Sequence, residues 1–124
     1  RNFFFFFGFR IDMDKMIDAT KAIIGAHDFT SFTTNSRCEK HRIRTVKKLD
    51  ITKEEPYIYF TVEADGFLYN MVRTMVGTLI EVGRGKFTAE RVKDILDAKN
   101  RGLSGPTAPA KGLCLIEVNY GNDL

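Results

Sequence analysis

The 124-residue chain has no tryptophan, two cysteines, two histidines and three prolines. Cys38 and Cys114 stand far apart and make no disulfide framework, which points to a reducing, cytoplasmic compartment. Cys38 and His41 form a lone C-x-x-H without the second pair that zinc requires, so no metal site is expected. No apolar run reaches the ~18–20 residues of a membrane span. The Phe run in "RNFFFFFGFR" is too short for a signal-peptide core. A net charge of +3 is mildly basic and does not by itself establish a nucleic-acid partner. There is no internal repeat and no other low-complexity tract.

What is present is a globular balance, 44% hydrophobic and 28% charged, with no linker to divide residues 1–124 into more than one domain. Residues 3–11 read as a strand. Their Phe run suits either a strand buried on both faces or an edge meant for an absent partner, and the opening without Met suggests a piece of a longer chain. Asp12 suits the cap of a helix over 13–24, with Met13, Met16, Ile17, Thr20, Ile23 and Ile24 on one face and Gly25 as its stop. "AHDFTSF" reads as a compact turn, 42–51 as a strand and "TKEEP" as a turn. "YIYFTVEA" is an alternating strand, with Ile58, Phe60, Val62 and Ala64 on one face and Tyr57, Tyr59, Thr61 and Glu63 on the other. A helix over 66–83 follows, then one over 89–99 capped by Thr88, a Gly/Pro loop and a last strand "LCLIEVNY". This order predicts an α+β fold, a mostly antiparallel sheet with helices packed on one face.

Several stretches are candidates for chemistry. In "GFLYNMVRTMVGTLIEVG" Arg73 is the only ionised side chain between Asp65 and Glu81. Leu68, Met71, Val72, Met75, Val76 and Leu79 form an apolar stripe, and Arg73 lies beside it with Tyr69, Gly77 and Ile80. A guanidinium keeps its charge, so a partly buried one needs a carboxylate or phosphate. Either it snorkels into a structural ion pair or it serves a site, and Gly77 one turn later would let a ligand approach. "RCEKHRIRTVKK" carries six Lys/Arg against one acid. Arg42, Arg44 and Lys48 would share one side of a strand, tracking a phosphate backbone or keeping an edge strand soluble. Tyr57 and Tyr59 would suit base stacking or an ordinary sheet surface. "VGRGKF" lacks phosphate-loop spacing and reads as a helix stop. His27–Asp28 has no paired nucleophile, so Asp28 reads as a turn cap. Lys111, closing the Gly/Pro loop, would suit a phosphate.

Taken together, "GFLYNMVRTMVGTLIEVGRGK", "ILDAKNR" and "TAPAKGLCLIEVNY", preceded by "GAHDFTSF" and Arg44-Thr45-Val46, resemble the C-terminal half of TruA-type tRNA pseudouridine synthases over about residues 12–120. Asn70 stands where His is common in that family, Thr74 where Asn is common and Cys114 where Tyr is common. The opening Phe run matches nothing in it.

The resemblance implies a cofactor-free isomerisation of uridine to pseudouridine in the anticodon stem-loop of tRNA. It implies that Arg73 pairs with a catalytic aspartate of a Gly-Arg-Thr-Asp-like segment. No such segment occurs in this chain, so the chain alone is expected to be an inactive C-terminal half lacking the N-terminal domain. Leu113 would lie near the target base, and Arg42, Arg44, Lys86, Arg101 and Lys111 would meet phosphates. A homodimer with tRNA across both subunits is expected, with no membrane. The competing readings are a non-catalytic α+β RNA-binding module and a dimerisation module.

Overall fold

The alternating segment 57–64 becomes the middle of a five-stranded sheet in a computed structural model, which describes residues 2–6, 11–33, 42–54, 57–68, 70–103 and 113–117. The strands are β1 (Asn2–Phe6), β2 (Gly25–Asp28), β3 (Ile43–Glu54), β4 (Tyr57–Ala64) and β5 (Leu113–Glu117). Their order is β2-β3-β4-β1-β5, and every pairing is antiparallel. In β4, Ile58, Phe60, Val62 and Ala64 are buried while Tyr57, Tyr59, Thr61 and Glu63 are half-buried, as a period of two requires when one face meets a core. The helices α1 (Met13–Ile23), α2 (Met71–Gly83) and α3 (Ala89–Ala98) share that core. The α+β architecture expected from the sequence is therefore the one observed.

Asp12 does cap α1, its carboxylate accepting from the Lys15 amide at 3.1 Å. Met16, Ala19, Thr20 and Ile23 face inward, but Ile17 and Ile24 are 44% and 41% exposed. The apolar face is narrower than expected, because Ile17 lies one 100° step past Met16 and Ile24 has left the helix with ψ 137°. The Asp12 amide donates to the Gly83 carbonyl at 2.8 Å, tying the start of α1 to the end of α2.

Helix α2 starts later than the sequence suggests. Asn70 takes a left-handed φ of 58°, and the Met71 amide closes a tight turn onto the Leu68 carbonyl at 3.0 Å. Every residue of α2 is buried except Arg73 and Glu81. The expected apolar stripe is thus a helix wrapped almost all round. Its buried Thr78 hydroxyl donates to the Thr74 carbonyl at 2.9 Å, so that polar group costs the core little. In α3 the Thr88 hydroxyl accepts from the Arg91 amide at 3.1 Å, and Val92, Ile95 and Leu96 are buried. Lys99 lies just outside the helix, exposed, with φ 52°.

Three further expectations change. "GAHD" is strand β2 rather than part of a turn, held by pairing with β3 from Gly25 opposite Val46 to Asp28 opposite Ile43. β3 runs on through Thr52, Lys53 and Glu54, the start of the expected turn. β1 is not an edge, since β4 and β5 flank it. The expected strand and loop residues at 7–10, 104–112 and 118–120 lie outside the described residues.

Finally, β3 carries a bulge. Val46 pairs with Ala64 but Lys48 pairs with Glu63, leaving Lys47 as the extra residue. Val46, Leu49 and Ile51 are all buried, so side-chain parity reverses across the bulge. Arg44 therefore shares its side with Val46, and Lys48 takes the opposite one. The expected single row of Arg42, Arg44 and Lys48 is broken.

Candidate functional site

One end of the sheet gathers most of the candidate cations. There β2 finishes, β3 begins and β4 leaves for α2. The junction is closed by two hydrogen bonds between Thr45 and Asp65: the Asp65 amide donates to the Thr45 carbonyl at 3.2 Å, and the Thr45 amide donates to the Asp65 carboxylate at 2.9 Å. Arg44 is half-buried, and its guanidinium donates to the Ile43 carbonyl at 2.9 Å. It lies so close to Gly66 that a Cβ there would be 3.3 Å from its Nε. Gly66 is thus the residue that lets Arg44 cross the connection leading to α2.

That connection delivers Arg73 as the third residue of α2, half-buried. Its setting is electrostatically unusual. The Asn70 side chain makes no capping hydrogen bond to the helix, and the first turn holds no acid. A helix N-terminus is already positive, so a cation there is disfavoured by about 0.3–1 kcal/mol. A permanent guanidinium therefore sits in the first turn of a helix whose cap residue gives no side-chain hydrogen bond to it.

Asp28 organises a second cluster, at the end of β2. Burial pushes its pKa up, but hydrogen bonds from the Thr30 hydroxyl and amide, with the charges of Lys99 and Arg42, outweigh this and leave the carboxyl below its ordinary value. The Thr30 amide donates to Asp28 Oδ1 at 2.9 Å, so the sequence reading of Asp28 as a turn cap holds. The His27 ring sits 3.1 Å from the Ile24 carbonyl and packs edge-on to Phe29, a structural position.

Ser31, in the short 3-10 turn Thr30–Phe32, is fully buried. Its hydroxyl donates to the Ile95 carbonyl at 2.6 Å and accepts from the Asn100 amide at 2.7 Å. Asn100 in turn accepts from the Gly102 amide at 2.9 Å and shapes the turn Arg101–Leu103. Lys99 and Arg42 both act on the Asp28 carboxylate, and Arg101 opens the turn that follows Asn100. Sequence reasoning nominated Arg42 and Arg101 and missed Lys99 and Ser31. The contacts of Ser31 run to residues 64 and 69 positions on, so nothing local in the sequence marks them.

The other nominated residues lie elsewhere. Lys86 follows the far end of α2, ~15 Å along the axis from Arg73, with its Nζ 4.0 Å from Glu81, which Arg84 also meets at 3.3 Å. An open cleft of about 620 Å³ lies at that same far end, lined by Asp12, Lys15, Gly83 and Arg84, and does not include Arg73. Leu113 opens β5 opposite Phe5, and Lys111 lies outside the described residues. Tyr57 and Tyr59 meet edge-on, with ring centroids 6.4 Å apart.

A family model described as tRNA pseudouridine synthase matches residues 19–121. The tRNA pseudouridine synthase A of Clostridium acetobutylicum is 48% identical over 120 residues, which is 97% of this chain and 49% of that protein. The protein of the same name from Clostridium kluyveri is 44% identical over 120 residues, again 97% and 49%. That from Moorella thermoacetica is 46% identical over 110 residues, 89% of this chain and 45% of that protein. The chain spans about half the length of the curated relatives it matches.

Proposed function

The chain belongs to the tRNA pseudouridine synthase family, and from that premise we propose that it is the C-terminal half of an enzyme that isomerises uridine to pseudouridine in the tRNA anticodon stem-loop. The observation that carries the reading is Arg73, a permanent cation held half-buried in the first turn of a helix in which only it and Glu81 are not buried. An aspartate from the N-terminal half would pair with it. The guanidinium would keep that carboxylate ionised and fix its direction. The chain by itself would then be inactive, because it holds the partner of the nucleophile and not the nucleophile.

Uridine and pseudouridine are isomers. The C–N glycosidic bond breaks, the base turns and a C–C bond forms, so no redox or group-transfer cofactor enters the balance. The base must leave its stack to reach the carboxylate, which requires the flanking tRNA to be held by its backbone. Arg42, Arg44 and Arg101 supply cations at the Arg73 end of the domain. Lys86 would meet a separate stretch of tRNA, Lys111 a further phosphate, and Leu113 the target base. We place the full-length enzyme in the cytoplasm as a homodimer whose tRNA spans both subunits.

The test is Arg73→Ala in the full-length protein, with turnover read as release of tritium from the uracil C5 and binding read separately. Turnover should fall by roughly 10²–10³-fold or more while tRNA affinity is largely kept. Near-normal turnover refutes the reading.

A further inference from the structure

We propose that Ser31 is a positioning residue for tRNA binding, its buried hydroxyl holding the Arg101 turn so that Arg101 and Lys99 join Arg42 in one phosphate-binding surface. The inference rests on the tRNA reading above and adds a residue that touches no RNA.

The argument begins at the end of α3. The last carbonyls of a helix lack amide partners within it. The Lys99 amide turns to the Leu96 carbonyl at 3.4 Å, and Ser31 donates to the Ile95 carbonyl from another part of the chain. The same hydroxyl accepts from the Asn100 amide, so one oxygen uses its donor and an acceptor site on residues five apart in sequence. Between them Lys99 is held at φ 52°, a left-handed conformation that a non-glycine residue keeps only under constraint. The clamp thus does two things. It stops the helix at Ala98, and it turns the chain so that Asn100 accepts from Gly102 and Arg101 is half-buried with its Nε out of solvent.

Packing alone would be served by alanine at position 31. The hydroxyl is what links this turn to Asp28, three residues upstream, whose carboxylate feels both Lys99 and Arg42. Phosphate contacts need cations in fixed register more than they need cations nearby. Ser31 supplies that register.

The experiment uses full-length protein and an unmodified tRNA transcript, with Ser31→Ala and, as a surface change that leaves the core intact, Asn100→Ala. Affinity should fall by about tenfold in Ser31→Ala, the worth of one or two lost hydrogen bonds. The slope of log affinity on log salt should become shallower by about one, the signature of a lost phosphate contact. KM should rise with kcat little changed, and amide exchange should accelerate at Asn100, Gly102 and Leu103 but not in α2. Asn100→Ala should move affinity and slope in the same directions. Unchanged affinity and slope in Ser31→Ala, whatever Asn100→Ala does, or exchange accelerated equally across the whole domain, overturns the proposal. If Arg73→Ala keeps its turnover, the catalytic reading fails while these binding readouts still decide the case of Ser31.

Discussion

Replacing Gly83 with alanine should destabilise the domain, although alanine is the better helix former. An added Cβ would lie 2.8 Å from Ile11 Cγ2 and 2.9 Å from both Cγ and Sδ of Met16. Carbon atoms pack best at about 3.5–4.0 Å, so each contact is short by roughly 0.6–1.2 Å. Met16 is fully buried and has no solvent to swing into. Nor can the backbone retreat freely, because the Gly83 carbonyl accepts from the Asp12 amide at 2.8 Å and Asp12 is the cap of α1. Overpacking of this kind costs about 1–3 kcal/mol. The gain in helix propensity is at most about 1 kcal/mol and shrinks at the last residue of a helix. A net loss of about 1–2 kcal/mol remains, which for a domain of this size lowers Tm by roughly 3–10 °C. Circular dichroism melts and urea midpoints would measure it. Ile11→Ala should cost less in the Gly83→Ala background than alone, since it removes one of the clashing methyls. A variant as stable as the parent, or Ile11→Ala effects that simply add, would refute the packing argument.

Two other outcomes can be checked alongside this. Asp28 has a folded pKa below its ordinary 3.8, so its stabilising contribution is full above about pH 4 and is lost as pH falls through the lower folded value; Asp28→Asn should therefore melt below the parent at pH 7, with the gap closing on acidification below pH ~4, and a gap that widens there would contradict the sign. Arg42→Ala and Lys86→Ala should each make the salt dependence of tRNA binding shallower by about one, and because Arg42 acts beside Asp28 while Lys86 lies by Glu81 past the end of α2 their losses of binding free energy should add; a strongly non-additive pair would place them at one contact instead.

Much of this molecule is legible from pattern alone, and particular residues show where legibility stops. β4 was readable because burial and alternation coincide at every position from Tyr57 to Ala64. The caps Asp12 and Thr88 were readable because N-capping is a local chemistry. β2 was not, since Gly25, Ala26, His27 and Asp28 have no strand propensity and are extended only through pairing with β3. The start of α2 was set too early because Asn70 adopts a left-handed turn that no apolar period reveals.

The site divides in the same way. Arg73 stands out as a lone charge in an apolar run, and it is half-buried. The company kept by Arg42 and Arg101 was invisible, because it depends on Ser31 reaching residues 64 and 69 positions away. The row of Arg42, Arg44 and Lys48 failed for a different reason. One inserted residue, Lys47, reverses which side of β3 faces the core, and sequence gives that bulge no mark.

The strand order also dictates a timetable. Of the five strands β1 is made before the others and β5 after them, yet they lie side by side, with Phe5 opposite Leu113. At the ~5–20 residues per second of protein synthesis, β1 waits several seconds for that neighbour. During the wait its partner on one side, β4, has already emerged, while the other side presents unpaired amides and carbonyls along a phenylalanine-rich strand. The nascent chain is therefore most exposed to sticking to its own copies just before β5 emerges. Anything that slows translation between the two strands lengthens the interval in which a chaperone must shield that edge.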